Sequence, residues 1–153
     1  MRQMVNRVDH VVWIARPENA QAYVERLSGL FGVVFDGPVV REAYGCRFWI
    51  SWEGGLEVFT PYGDGPYAAA WHKRLEERGE GVLTVVFGVR DIHDAQENAR
   101  RLGYQPSDII ELAGDEPYLH KLETMREVIA TDMLGTFMSF GEIRYADGVI
   151  ATS

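Results

Sequence analysis

Apolar and polar positions alternate along the chain in short runs that predict strands and amphipathic helices. The first apolar run, residues 8–14 ("VDHVVWI"), is typical of a buried strand. A helix is predicted from Pro17 to about Leu30, because apolar side chains recur there every three or four residues and Gly32 provides a C-terminal stop. Further strands are predicted at 33–35, 47–52 and 56–60, the last two joined by the turn Glu53-Gly54-Gly55.

The same order of elements returns in the second half of the chain. After a helical connector at 67–78, the residues again predict a strand (82–87) and then an amphipathic helix (89–104). Three more strands are expected near 108–112, 128–131 and 136–144. Both halves therefore have the pattern β-α-β-β-β, and two copies of about 75 residues are the simplest account.

These patterns predict one α+β domain over residues 1–153, with module one at about 7–61, a connector at about 62–80 and module two at about 81–145. A chain of 153 residues with 46% hydrophobic residues can bury a substantial core. An insertion, "GDEPYLHKLETMRE", separates the second and third strands of module two. Because Pro117 suits a first turn, we expect a short helix there, over the mouth of a pocket.

Composition narrows the class of partner. A net charge of -8 and a pI near 5.0 leave no general basic surface, so nucleic acid is not an expected partner. Cys46 is the only cysteine, which excludes an intrachain disulfide and fits a reducing compartment. No apolar run approaches the roughly 18 residues of a membrane span, and no apolar segment follows the first charges. We therefore expect a cytoplasmic protein without a membrane segment.

A duplicated β-α-β-β-β unit with "DHVV" in its first strand and "GGLEVFTP" in its fourth resembles the vicinal oxygen chelate superfamily. That group includes glyoxalases, epimerases, extradiol dioxygenases and bleomycin-resistance proteins. The resemblance covers residues 7–144 and implies a curved, half-barrel-like mixed sheet built from two tandem modules, with the helices packed outside. It also implies a homodimer.

In the metal-using members, the resemblance implies a ligand on the first strand and another on the fourth strand of each module. Module one matches this pattern at His10 and Glu57. Period-two alternation independently places His10 on one face with Val8 and Val12. Glu57 lies between two aliphatic neighbours, where a carboxylate is costly unless it has a partner.

Module two departs from the pattern. Thr84 and Ser139 stand where the resemblance implies a histidine and a glutamate, so two of the four expected ligands are absent. Glu142 lies three residues beyond Ser139 and alternates to the opposite face. It replaces that ligand only if a bulge or a shifted register intervenes.

Two alternatives for a cofactor stay open. One divalent metal (Zn, Fe, Mn or Ni) on His10 and Glu57 needs a third ligand, from His72, His120 or a partner chain. Without a metal, the two residues form an acid and base that face an apolar pocket, or only a buried hydrogen-bonded pair. Asp9 is interpreted as a residue that starts the strand or faces solvent.

The function that we favour is isomerase- or lyase-type proton transfer on a small oxygenated molecule, with His10 and Glu57 as the catalytic residues. The residues expected to orient the oxygens of the substrate by hydrogen bonds are Thr84 and Ser139, with Glu142 as a third candidate if the register of its strand is shifted.

Aromatic residues make up 12% of the chain, and several stand on predicted strands. Trp49 and Phe59 are therefore expected to line the site and to favour an apolar or aromatic molecule.

The first alternative to a proton-transfer enzyme is a non-catalytic binder of a drug or metabolite, of the bleomycin-resistance type, which the missing module-two ligands favour. The second is a metal-dependent enzyme with an atypical ligand set.

Overall fold

The computed structural model describes residues 2–111 and 116–151. Its strands and helices, in chain order, are β1 (Arg2–Gln3), β2 (Arg7–Ile14), α1 (Ala20–Phe31), β3 (Asp36–Arg41), β4 (Cys46–Ser51), β5 (Leu56–Pro61), α2 (Pro66–Arg78), β6 (Gly81–Gly88), α3 (Ile92–Arg101), β7 (Ile110–Glu111), β8 (Leu122–Met133) and β9 (Thr136–Tyr145). The predicted α+β class is confirmed. None of the helices in the described ranges is long and apolar enough to cross a membrane.

The chain divides into two compact units. Unit I comprises Val12–Leu83, and unit II comprises the described residues of Met1–Val11 and Thr84–Ser153. Strands follow the order β3-β4-β5-β2 in unit I and β2-β6-β9-β8-β7 in unit II, where β1 also pairs with β9. The β6–β9 pair is parallel and the β4–β5 and β8–β9 pairs are antiparallel, so the sheet is mixed, as expected.

Helix α1 covers one face of the sheet of unit I. The residues of this core are Ala15, Ala20, Val24, Trp49 and Val58, with Tyr23, Leu27 and Phe35 packed against them. The helix ends at Gly32, whose φ of 66° favours glycine. The strand predicted at 33–35 is wrong, because the Ser28 hydroxyl holds the Val33 carbonyl at 2.6 Å and β3 begins only at Asp36.

The predicted hairpin of unit I is confirmed, and its register decides which side chains share a face. Gly54 donates its backbone N–H to the Ser51 hydroxyl at 3.2 Å within the turn. Across the hairpin, Trp49 pairs with Val58 and Ile50 pairs with Glu57. Directly opposite residues lie on the same face of a sheet. Trp49 therefore faces α1, and Glu57 faces the other side.

Unit II is built on the long β8–β9 pair, against which α3 packs. Asp91 caps α3 by accepting the backbone N–H groups of Asp94 at 3.0 Å and His93 at 2.9 Å. The short helix predicted in the insertion is wrong: 119–121 form one 3-10 turn and β8 begins at Leu122. Positions 112–115, which include the end of the strand predicted at 108–112, lie outside the described residues.

Candidate functional site

His10 lies in unit II with its imidazole between two carboxylates. It belongs to the part of β2 before residue 12 and is only 1% exposed. The Nδ1 atom lies 2.8 Å from Asp9 Oδ1, and Nε2 lies 3.4 Å from Glu127 Oε1. Both ring nitrogens therefore face a group that can accept a proton.

Asp9 holds the imidazole in place. The interpretation of Asp9 as solvent-facing is wrong, since its side chain is buried beside His10. Asp9 Oδ1 also accepts the hydroxyl proton of Tyr145 at 2.7 Å, and its buried Oδ2 has no hydrogen-bond partner within the described ranges. With Asp9 as an acceptor, Nδ1 is the nitrogen that carries hydrogen. Nε2 is then the nitrogen left for proton exchange.

Glu127 was not predicted as a site residue. It lies on β8 directly opposite Gly141 of β9, which places it on the same sheet face as Ser139. Its side chain is 21% exposed, but Oε1, the oxygen that faces His10, is buried. The sequence gives little indication that Glu127 is a site residue. Glu127 is the last residue of the predicted insertion and directly precedes the apolar residues Val128 and Ile129.

Thr84 and Ser139 meet on neighbouring parallel strands of unit II. Their hydroxyl oxygens are 2.7 Å apart, and the Thr84 hydroxyl donates to the Phe137 carbonyl at 3.1 Å. Because the Thr84 proton is engaged by Phe137, Ser139 donates to Thr84. The two positions at which the resemblance implies metal ligands therefore converge, as a pair of neutral hydroxyls.

Glu142 has a different place, and the expectation that it orients substrate is wrong. Its Oε2 accepts the backbone N–H of Ile92 at 3.1 Å, and its Oε1 lies 3.2 Å from an Arg144 nitrogen. No register shift occurs on β9 between Ser139 and Glu142, so alternation keeps the two on opposite faces. Glu142 anchors the start of α3.

Glu57 lies in unit I, on β5, with Phe59 on the same face. Burial and the neighbouring negative charge of Glu57 raise the pKa of the Cys46 thiol to about 12. Since Glu57 and His10 belong to different units, their cooperation stays a prediction.

The predicted aromatic lining is wrong for Trp49. That residue is buried in the α1 core, on the face opposite to Glu57. Phe59 lies on the Glu57 face and packs edge-to-face on Trp71 of α2, with ring centroids 5.1 Å apart. Phe59 shares a strand face with Glu57, and its role in lining the site stays a prediction.

Comparison with solved structures identifies the fold. The chain matches methylmalonyl-CoA epimerase from Mycobacterium tuberculosis at 17% identity and a TM-score of 0.66, over 93% of this chain and 91% of that one. A Streptomyces coelicolor methylmalonyl-CoA epimerase in complex with 2-nitronate-propionyl-CoA matches at 21% identity and a TM-score of 0.67, over 97% and 99%. The fold is that of the vicinal oxygen chelate superfamily. No protein-family model and no curated protein sequence matches the chain.

The vicinal oxygen chelate fold implies a divalent metal in many members, but the donor set here does not fit one. Within the described ranges, no group of three or more His, Cys, Asp or Glu side chains is placed to hold an ion. His72 and His120, the candidate third ligands, are both exposed. Two of the four implied positions carry the bonded hydroxyls of Thr84 and Ser139, which are poor ligands for such ions.

Proposed function

We propose that the chain is an enzyme of the isomerase or lyase type, in which His10 and Glu127 transfer a proton on a small oxygenated molecule. One observation carries this proposal: a buried imidazole is fixed at Nδ1 by Asp9 and directs Nε2 toward a carboxylate. Histidine is the side chain whose charge changes most readily near neutral pH. The pair can therefore hold one exchangeable proton.

The reaction that suits this pair is removal of a proton from a carbon next to a carbonyl. One member of the pair takes the proton from carbon, and the electron pair moves onto the carbonyl oxygen to give an enolate. The hydroxyls of Thr84 and Ser139 lie on the same sheet face as Glu127, and Ser139 is proposed to turn its proton from the Thr84 oxygen to the enolate oxygen. Return of the proton to the same or a neighbouring carbon completes the isomerisation.

The structural neighbours suggest the first substrate to test. Several are named as methylmalonyl-CoA epimerases, so a CoA thioester with an acidic C–H next to its carbonyl is the first candidate. The second is an apolar or aromatic ketone or oxo acid, for which Phe59 remains the proposed lining residue. Glu57 stays a proposed second acid or base.

Solvent exchange tests the proposal directly. The protein is incubated in D₂O with methylmalonyl-CoA and, separately, with a panel of oxo acids, and loss of the C–H signal is followed by proton NMR. We expect exchange to fall by about 10²- to 10⁴-fold in His10→Gln. His93→Gln, an exposed histidine of the same unit, is the matched control and should exchange normally. Equal exchange in both variants contradicts the role of His10.

A non-catalytic binder is the second candidate, because hydroxyls replace two implied ligands at Thr84 and Ser139. It predicts that a ligand binds wild type and His10→Gln with similar affinity and that neither exchanges its C–H. Calorimetric titration beside the exchange assay separates the two functions.

The homodimer implied by the resemblance likewise stays a proposal, which sedimentation equilibrium tests.

A further inference from the structure

Arg47 of unit I has an unusual environment for an arginine. Its guanidinium carbon lies 5.0 Å from the ring centre of Trp49 and 5.9 Å from that of Tyr62. Its Nε is buried and has no hydrogen-bond partner within the part of the chain that the structure describes. Arg47 as a whole is only half-buried, but a buried N–H group normally has an acceptor, because an unsatisfied polar group is costly to desolvate. Two aromatic rings thus face a cation whose Nε lacks an acceptor among the residues that the structure describes.

Thr60, which lies beside Arg47, carries the second polar group of this kind. It pairs directly with Arg47 across the β4–β5 hairpin, so the two side chains lie on the same face. Thr60 is 0% exposed, and its buried hydroxyl has no hydrogen-bond partner among the described residues. Groups of this kind call for an explanation, and a functional role such as the binding of an ion is one of them.

Exposure differs along this row of residues. Val40 of β3 pairs with Arg47 on its other flank and is 43% exposed, whereas Thr60 is fully buried. Tyr62, whose ring faces the guanidinium, is 38% exposed. Exposure therefore rises along the row from Thr60, through the half-buried Arg47, to Val40.

We propose that Arg47 and Thr60 form a binding site for the anionic oxygen group of a small ligand, either a carboxylate or a phosphate. A guanidinium donates in a planar fork that matches both groups, and stacking on Trp49 and Tyr62 keeps that fork oriented. The hydroxyl of Thr60 supplies one further donor. The site uses residues of unit I only and does not depend on the proposed function of His10.

Titration of the full chain with inorganic phosphate and, separately, with acetate tests this site. The solution is kept at constant ionic strength with sodium chloride, and the Nε–H signal of Arg47 is followed by NMR together with tryptophan fluorescence. We expect saturable binding of at least one anion, weakened about tenfold or more in Arg47→Met and in Thr60→Val. The anion that saturates identifies the ligand as a phosphate or a carboxylate.

The matched control is Arg26→Met, since Arg26 also stacks on an aromatic ring of unit I, at 5.7 Å from Tyr23, but is exposed. Its affinity should equal that of wild type. If Arg47→Met loses its native circular dichroism spectrum, Arg47→Lys decides, because lysine keeps the charge without the fork. The proposal is overturned if neither anion saturates, or if a folded Arg47 variant binds as tightly as wild type.

Discussion

Two partly buried glutamates, Glu80 of unit I and Glu127 of unit II, differ in the kind of partner they have. Glu80 accepts hydrogen bonds from the backbone N–H of Arg16 at 3.0 Å and from the side chains of Asn19 and Tyr23 at 3.2 Å. Burial alone would raise the pKa of Glu80, but these bonds outweigh it and lower the pKa. All three donors keep their protons near neutral pH, so the charge of Glu80 is fixed.

Glu127 instead faces the Nε2 atom of His10, at 3.4 Å, and imidazole gains and loses its proton near neutral pH. The contrast teaches that burial alone does not mark a carboxylate as functional. What distinguishes the two is whether the partner can exchange a proton. Glu80 fastens the start of α1 as a structural group, and Glu127 is the candidate for chemistry.

The largest effect that separates the two glutamates is expected in Glu127→Gln. The amide keeps the shape of the side chain but cannot carry the exchanged proton, so C–H exchange in D₂O should fall by about 10²- to 10³-fold. Glu123→Gln, on an exposed position of the same strand, is the control. Similar loss in both variants, or loss in neither, would remove Glu127 from the proposed mechanism.

Tyr145→Phe tests the support behind His10. It removes the hydroxyl that donates to Asp9, whose other oxygen is already buried without a hydrogen-bond partner among the described residues. We expect the free energy of unfolding to fall by about 2 kcal/mol, the usual range for a hydrogen bond to a charged group. Urea denaturation measures it, with the exposed Tyr104→Phe as control. No difference between the variants would mean that the bond contributes nothing to the fold.

Glu80→Gln should have a smaller and pH-dependent effect. Because the pKa of Glu80 is lowered in the fold, its stabilisation is present above the unfolded value near 4.5 and is lost as pH falls through the folded value. We expect a loss of about 1 kcal/mol at pH 7, limited by solvent screening, that shrinks on acidification below pH 4.5. Thermal unfolding from pH 7 to pH 3 measures it, against the exposed Glu76→Gln. A loss that is constant with pH would contradict this account.

Periodicity predicted the element order and located His10, because buried strands and helices repeat with fixed periods. It also placed Glu142 correctly as opposite to Ser139, since that needs only alternation along one strand. The prediction that Trp49 lines the site was wrong, because alternation along β4 does not show which residues of β4 share a face with Glu57 of β5. That depends on the hairpin register, in which Ile50 is the partner of Glu57.

The contacts of His10 could not be predicted from the sequence for a related reason. Tyr145 reaches Asp9 from a position 136 residues away, and Glu127 lies on β8, whose register with β9 shifts between Ile129 and Thr131, before the strand reaches Glu127 from the turn. A shift of one residue moves every side chain to the other face. Contacts that depend on such an irregularity between distant strands cannot be derived from local patterns.

The smallest expected effect concerns Glu57, the carboxylate that the sequence paired with His10. Burial first, and the charge of Glu57 second, raise the pKa of the Cys46 thiol to about 12. Glu57→Gln removes the charge and leaves the burial, so iodoacetamide should modify Cys46 about two- to fivefold faster at pH 9, while remaining far slower than in urea. Glu53→Gln, exposed in the adjoining turn, is the control and should leave the rate unchanged. An unchanged rate in Glu57→Gln would mean that the charge of Glu57 does not act on the Cys46 thiol, and burial alone would then account for its raised pKa.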